Sequence, residues 1–128
     1  MNYYLVTVKR VGRQQPNAKH YSLWMNKLNE ILIQQNACLP EYKHTQVCEE
    51  YYEIDQHSRL HMHLIMLFNP TFNKNLLYFF KSNWHVDAKL LDSENDLQIV
   101  RAYLSKEEQK EFFDKLSVGE YLFNLNFN

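Results

Sequence analysis

Glycine is almost missing from this chain: Gly12 and Gly119 are the only two among 128 residues. A phosphate-cradling GxxxxGK loop and a GxGxxG dinucleotide turn both need glycines at fixed spacing, so neither can be built here, and the chain by itself is not expected to hydrolyse nucleoside triphosphates. Cysteine is equally scarce. Cys38 and Cys48 stand ten residues apart with no CxxC pair, which supports neither a disulfide framework nor a thiolate zinc site, and both are expected as reduced core residues. An excess of charge is missing too: 14 Lys and Arg face 15 Asp and Glu, with a pI of about 6.6, so any contact with nucleic acid must come from a local cluster. The longest apolar runs, LIMLF (64–68) and LLYFF (76–80), fall far short of the roughly 18 residues of a membrane span. No signal-peptide pattern opens the chain, so an intracellular location and no membrane partner are expected.

What is present is an ordinary globular composition, 45% hydrophobic and 23% charged, long enough to bury the core of one domain over residues 1–128. YYLVTV (3–8) is β-branched and aromatic and predicts a first strand, followed by the basic loop KRVGRQQPN. From Tyr21 to Gln35 apolar residues recur at three and four, which predicts an amphipathic helix lying on a sheet. HTQVCEEYYEI (44–54) and LHMHLIMLF (60–68) flank the polar DQHSR and predict a hairpin with a five-residue loop. TFNKNLLYFFKSN (71–83) predicts a short second helix opened by Thr71, and WHVDAKLL (84–91) a fourth strand. Ser93 and Asp96 stand as N-cap and third residue of a third helix over residues 97–116, and EYLFNLNF (120–127) suits a fifth strand. The expected fold is α+β, a central antiparallel sheet of about five strands with packed helices.

Inside the third predicted strand, His61 and His63 are one residue apart. Side chains of a strand alternate between faces, so the two imidazoles lie on one face while Met62, Leu64 and Met66 point to the other. With Asp55–Arg59 as the hairpin loop, Glu53 falls directly opposite His61, with Cβ atoms about 4.5 to 5.5 Å apart. Two imidazoles and a carboxylate without thiolate suit Mn²⁺, Mg²⁺ or Zn²⁺. Glu49 and Glu50 are alternative third ligands if the hairpin slips or bulges. His57 reads as a solvated turn residue, and His20, His44 and His85 have no partner at ligand spacing. On the third helix, Tyr103 and Lys106 are three apart and share a face, while Leu97, Val100 and Leu104 fill the core stripe. Tyr103 is left at the stripe's edge, where a phenol can reach outward.

A strand with His-hydrophobic-His, a glutamate eight residues earlier, and some forty residues later a helix with Tyr-x-x-Lys together resemble the HUH endonuclease domain of rolling-circle replication initiators. These are the Rep proteins of small circular single-stranded-DNA viruses and related plasmids. YLVTVKR (4–10) looks like the family's first motif, HMH (61–63) like its second and YLSK (103–106) like its third. Lys9 stands where many relatives have Asn or Pro. The resemblance implies an RRM-like topology, a divalent ion (Mn²⁺ or Mg²⁺) held by His61, His63 and Glu53, Tyr103 as nucleophile and Lys106 assisting it. It implies metal-dependent nicking and joining of single-stranded DNA at a replication origin through a 5′-phosphotyrosine link. Such a protein acts in the host nucleus for a eukaryotic virus and otherwise in the cytoplasm, and the family commonly adds a helicase domain or partner.

Single-stranded DNA needs cationic and aromatic groups near the site. Lys9 and Arg10 are the leading candidates for DNA contact, in a basic cluster with Arg13 and Lys19, and Tyr3, Tyr4 and Trp84 are candidate stacking platforms. Three rival readings differ in testable ways. A single-tyrosine HUH transposase more often has Gln four residues after the tyrosine, where this chain has Glu107. A non-catalytic RRM-like module stacks bases on aromatics at the sheet centre, where this chain has histidines. A structural-metal protein cuts nothing.

Overall fold

A computed structural model of the chain describes residues 1–105. Lys106, the remainder of the third expected helix and the expected fifth strand lie outside the described residues. Within them, four strands form one sheet: β1 (Asn2–Arg10), β2 (Gln46–Ile54), β3 (Leu60–Phe68) and β4 (Trp84–Leu91). Their order is β2-β3-β1-β4, with all three neighbouring pairs antiparallel. The long helix α1 (Ala18–Asn36) connects β1 to β2, and α2 (Glu94–Leu104) follows β4. β1 and β2 thus run the same way with β3 between them, a split β-α-β arrangement. The α+β expectation holds, and no helix among the described residues is long and apolar enough to cross a membrane.

The alternation of β1 and β3 sorts their side chains to two faces. Val6, Val8, Leu60, Met62, Leu64 and Met66 enter the main core, where Tyr21, Trp24, Leu28 and Leu32 of α1 meet them. Their spacing of three and four along α1 presents one stripe to the sheet. On the opposite face Ile65, Leu91 and Leu97 make a smaller cluster with Tyr3, Leu5, Tyr51 and Val100. The two helices therefore lie on opposite faces, and α2 covers only the half of its face where β1 carries Tyr3 and Leu5. Among the described residues, that face is open where β1 changes to Thr7 and Lys9.

Several boundaries depart from expectation. α1 begins three residues before Tyr21, because Asn17 caps it by accepting from the His20 N–H while His20 Nδ1 accepts from the Asn17 N–H. His20 is thus a structural cap. The second expected helix is only a 3₁₀ segment, Lys74–Tyr78, opened by Asn73 rather than Thr71. Ser93 caps α2 as expected, its Oγ accepting from the N–H of Asp96, the third helical residue. Neither cysteine is in the core: both are exposed. Register shifts between Val47 and Glu49, so Cys48 is the extra residue of a bulge, without a partner on β3.

One buried side chain joins α1 to the sheet end that carries the histidines. The Tyr21 hydroxyl accepts from the Arg10 N–H at 3.0 Å and donates to the Leu60 carbonyl. Arg10 and Leu60 follow Lys9 and His61 in register, so the phenol stands in for the next ladder bond. Burial pushes its pKa up to about 12, and it stays a donor. Tyr21→Phe leaves a half-buried amide and a buried carbonyl short of a partner and should cost about 1 to 3 kcal/mol of stability. Urea unfolding checks this, and a loss below about 0.5 kcal/mol, the range of an indifferent surface change, would contradict it.

Candidate active site

The open half of the second face forms a pocket of about 490 Å³. β1 contributes Thr7 and Lys9, β3 His61 and His63, β4 His85 and Asp87, and the β2–β3 hairpin Glu53 and Asp55; Tyr103 of α2 stands at its border. The expected hairpin register is observed: Ile54 pairs with Leu60 and Glu53 with His61. The bulge at Cys48 lies earlier on β2 and leaves that pairing intact. The alternatives to Glu53 are otherwise engaged. Glu49 accepts from Arg101 Nε of α2 at 2.8 Å, and Glu50 accepts from the Tyr52 hydroxyl at 2.7 Å. Glu49 therefore ties the helix of Tyr103 to β2.

The two histidines are held differently from a simple shared site with Glu53. His63 Nε2 lies 2.7 Å from Glu53 Oε2, whereas His61 Nε2 lies 3.1 Å from Asp55 Oδ2. Nothing in the sequence marks Asp55 as a site residue, because it opens the polar turn. There its Oδ1 accepts from the N–H groups of His57 and Arg59 at 2.8 and 2.9 Å, an Asx-type turn, and the second oxygen is left to face His61. Burial raises the Asp55 pKa, but those two backbone bonds outweigh it and hold the carboxyl below its ordinary value. Nor are the histidines the exposed strand residues that alternation on an open face suggests. His63 is buried and His61 half-buried. Burial lowers both pKa values, against the opposing pull of Asp55 on His61 and of Glu53 on His63. Both rings are thereby biased toward the neutral form that a metal ligand requires.

Two imidazoles and two carboxylates on one face fit a divalent ion in kind, with nitrogen and oxygen donors and no sulfur. They are now paired with each other, and among the described residues no group of three or more such side chains is arranged as a ligand set. His57 lines the pocket from the hairpin loop and His85 from β4, while His44 Nε2–H donates to the Leu39 carbonyl at 2.8 Å, away from it.

Tyr103 is 46% exposed, at the edge of the stripe formed by Leu97 and Leu104. Its hydroxyl is 3.4 Å from Glu53 Oε1. One carboxylate thus touches both the candidate nucleophile and His63. The two basic candidates separate. Lys9 projects into the pocket, but Arg10 points to the α1 face, with its guanidinium 5.3 Å from the Trp84 ring centre. Phe80 stacks with Trp84 at 5.7 Å, Tyr4 packs edge-on against Phe68, and Tyr3 joins the smaller core cluster, so the three suggested platforms are engaged within the fold.

The negative charge of Glu53 is the main cause of a raised Tyr103 pKa, because it disfavours a second negative charge on the phenol. Glu53→Gln removes that charge, so Tyr103 in metal-free protein should titrate at lower pH, nearer the ordinary value of about 10. Following the Tyr103 ring carbon by NMR between pH 8 and 12 reads this directly. An unchanged midpoint would break the link between the two side chains.

No protein-family model matches this chain and no curated protein matches it. Among solved structures, the chain is similar to the crystal structure of the hypothetical protein ORF119 from Sulfolobus islandicus rod-shaped virus 1. The TM-score is 0.59 at 13% identity, over 86% of this chain and 84% of that one. At that identity the likeness concerns the fold alone.

Proposed function

We propose that this domain is an HUH endonuclease of the Rep type, which nicks and rejoins single-stranded DNA at a replication origin to start rolling-circle replication. The observation that carries the reading is the contact chain from Tyr103 through Glu53 to His63, beside His61 and Lys9 in one pocket. A nucleophile, a carboxylate and two imidazoles that begin on three different elements meet there.

His61, His63 and Glu53 would hold the divalent ion, and Asp55 is a further oxygen donor within reach of His61. When bound, that ion supplies Lewis acidity toward a non-bridging phosphate oxygen. A phenol with a raised pKa is a poor nucleophile at neutral pH, so the work of the chain is placement. The Glu53 contact aims the Tyr103 hydroxyl at the pocket, and Arg101 with Glu49 fixes its helix. Tyr103 oxygen bonds to phosphorus as the bond from phosphorus to the 3′-oxygen breaks. The phenolic proton is lost, the 3′-oxygen gains one, and the 5′ end stays on the tyrosine. One phosphoester replaces another, so the reverse step joins ends. Lys9 is the cation placed to meet the phosphate, with Lys106 as a second from the sequence motif. A helicase domain or partner would unwind the duplex.

The test is incubation of circular single-stranded DNA carrying the cognate origin with the protein and Mn²⁺. Nicking should appear together with protein attached to the new 5′ end. Tyr103→Phe should bind DNA about as well and form no covalent product, while His61→Ala and His63→Asn should lose both Mn²⁺ affinity and cleavage. Asparagine serves at 63 because the buried ring is hydrogen-bonded on both sides. Covalent product from the Phe variant would transfer the role to another tyrosine, and unchanged Mn²⁺ affinity in both histidine variants would remove the ion site.

A further inference from the structure

We propose that Thr7 is the positioning residue for His63, holding its ring by Nδ1 so that Nε2 faces the pocket. The inference rests on the ion site proposed above and extends it to a residue with no ligand atom of its own. Thr7 is the direct cross-strand partner of His63, and its Oγ1 lies 3.1 Å from His63 Nδ1. His63 therefore makes one polar contact with each ring nitrogen, Thr7 on one side and Glu53 on the other. The ring is buried, so an Nδ1 without a partner would be costly.

A hydroxyl suits this position because it can work in both directions. While Nε2–H donates to Glu53, Nδ1 is a bare lone pair and the Thr7 hydroxyl donates to it. When Nε2 gives its lone pair to a cation, the neutral ring carries its proton on Nδ1, and the Thr7 oxygen accepts. The hydroxyl proton then needs another direction. Asp87 is the partner of Thr7 on β4, on the same face and in the same pocket. Three neighbouring strands thus align imidazole, hydroxyl and carboxylate in one row. A backbone carbonyl at the place of Thr7 would serve only one of the two ring forms.

Thr7→Val keeps shape and strand preference and removes only the hydroxyl, whereas Thr7→Ser keeps the hydroxyl and removes the methyl. Losing the outer hydrogen bond of a ligating histidine typically costs 10- to 100-fold in metal affinity. Calorimetric titration with Mn²⁺ should show a loss of about that size in Thr7→Val and affinity near wild type in Thr7→Ser. With Zn²⁺ bound, the His63 Nδ1–H resonance should be protected from exchange in wild type and in Thr7→Ser and unprotected in Thr7→Val. A residue that only stabilises the fold would lower the urea midpoint of Thr7→Val and leave both readouts unmoved, which would overturn the proposal while sparing the ion site. Equal weakening in both variants would show that keeping the hydroxyl does not preserve affinity and would overturn it as well. Absence of Mn²⁺ binding in the wild-type protein would overturn the ion site and the role of Thr7 together.

Discussion

The structure depends on the placement of β3 in the interior of the sheet, with β2 and β1 bonded to its two edges. An interior strand buries both faces, so its twofold alternation must satisfy two environments at once. Even-numbered residues from Leu60 to Phe68 make the core with α1, while His61 and His63 go to the other side. A slip of one residue would send both histidines into the core and Met62 and Leu64 into the polar pocket. Burial of those apolar side chains thus fixes the aim of the histidines. The Tyr21 hydroxyl and the Asp55 turn fasten the strand at the end where register matters to the pocket.

The composition of β1 then divides the second face. Tyr3 and Leu5 offer apolar surface that α2 covers with Leu97 and Val100, while Thr7 and Lys9 offer none. The helix crosses the covered half and presents Tyr103 where the cover ends. Among the described residues few apolar side chains hold α2, and the ion pair between Arg101 and Glu49 adds direction to the packing. The nucleophile candidate owes its place to the edge between an apolar and a polar half of one sheet face.

Much of this was legible from patterns that are local in the chain. The alternation of 60–68, the five-residue loop and the Ser93 cap each depend on neighbours in sequence, and from them the pairing of Glu53 with His61 followed. The unread parts depend on side-chain choices that local patterns do not encode. Asp55 looks like any turn aspartate, since the oxygen that makes the turn is not the one that meets His61. Thr7 is a β-branched residue in a strand, which propensity alone explains. Lys9 and Arg10 read as one basic cluster, yet adjacency in a strand places them on opposite faces. The cysteines are small and apolar enough for a core, and only the bulge at Cys48 takes that residue out of the ladder.

The charges of the pocket bear on why a cation belongs in the proposed chemistry. Among the described residues, Glu53, Asp55 and Asp87 bring three carboxylates against Lys9. His61 and His63 add little positive charge, because burial lowers the pKa of each. A phosphodiester is itself an anion, and in a partly desolvated pocket like charges a few ångströms apart repel by several kcal/mol at an effective dielectric of about 20. Lysine alone does not reverse the sign of that field. A divalent ion seated among the imidazoles and carboxylates would offset the carboxylate charge and withdraw Glu53 from the phenol. The same event that admits the phosphate would then relieve the main cause of the raised Tyr103 pKa. In the proposed reaction, binding of the ion, entry of the substrate and release of the nucleophile would be electrostatically coupled through one carboxylate.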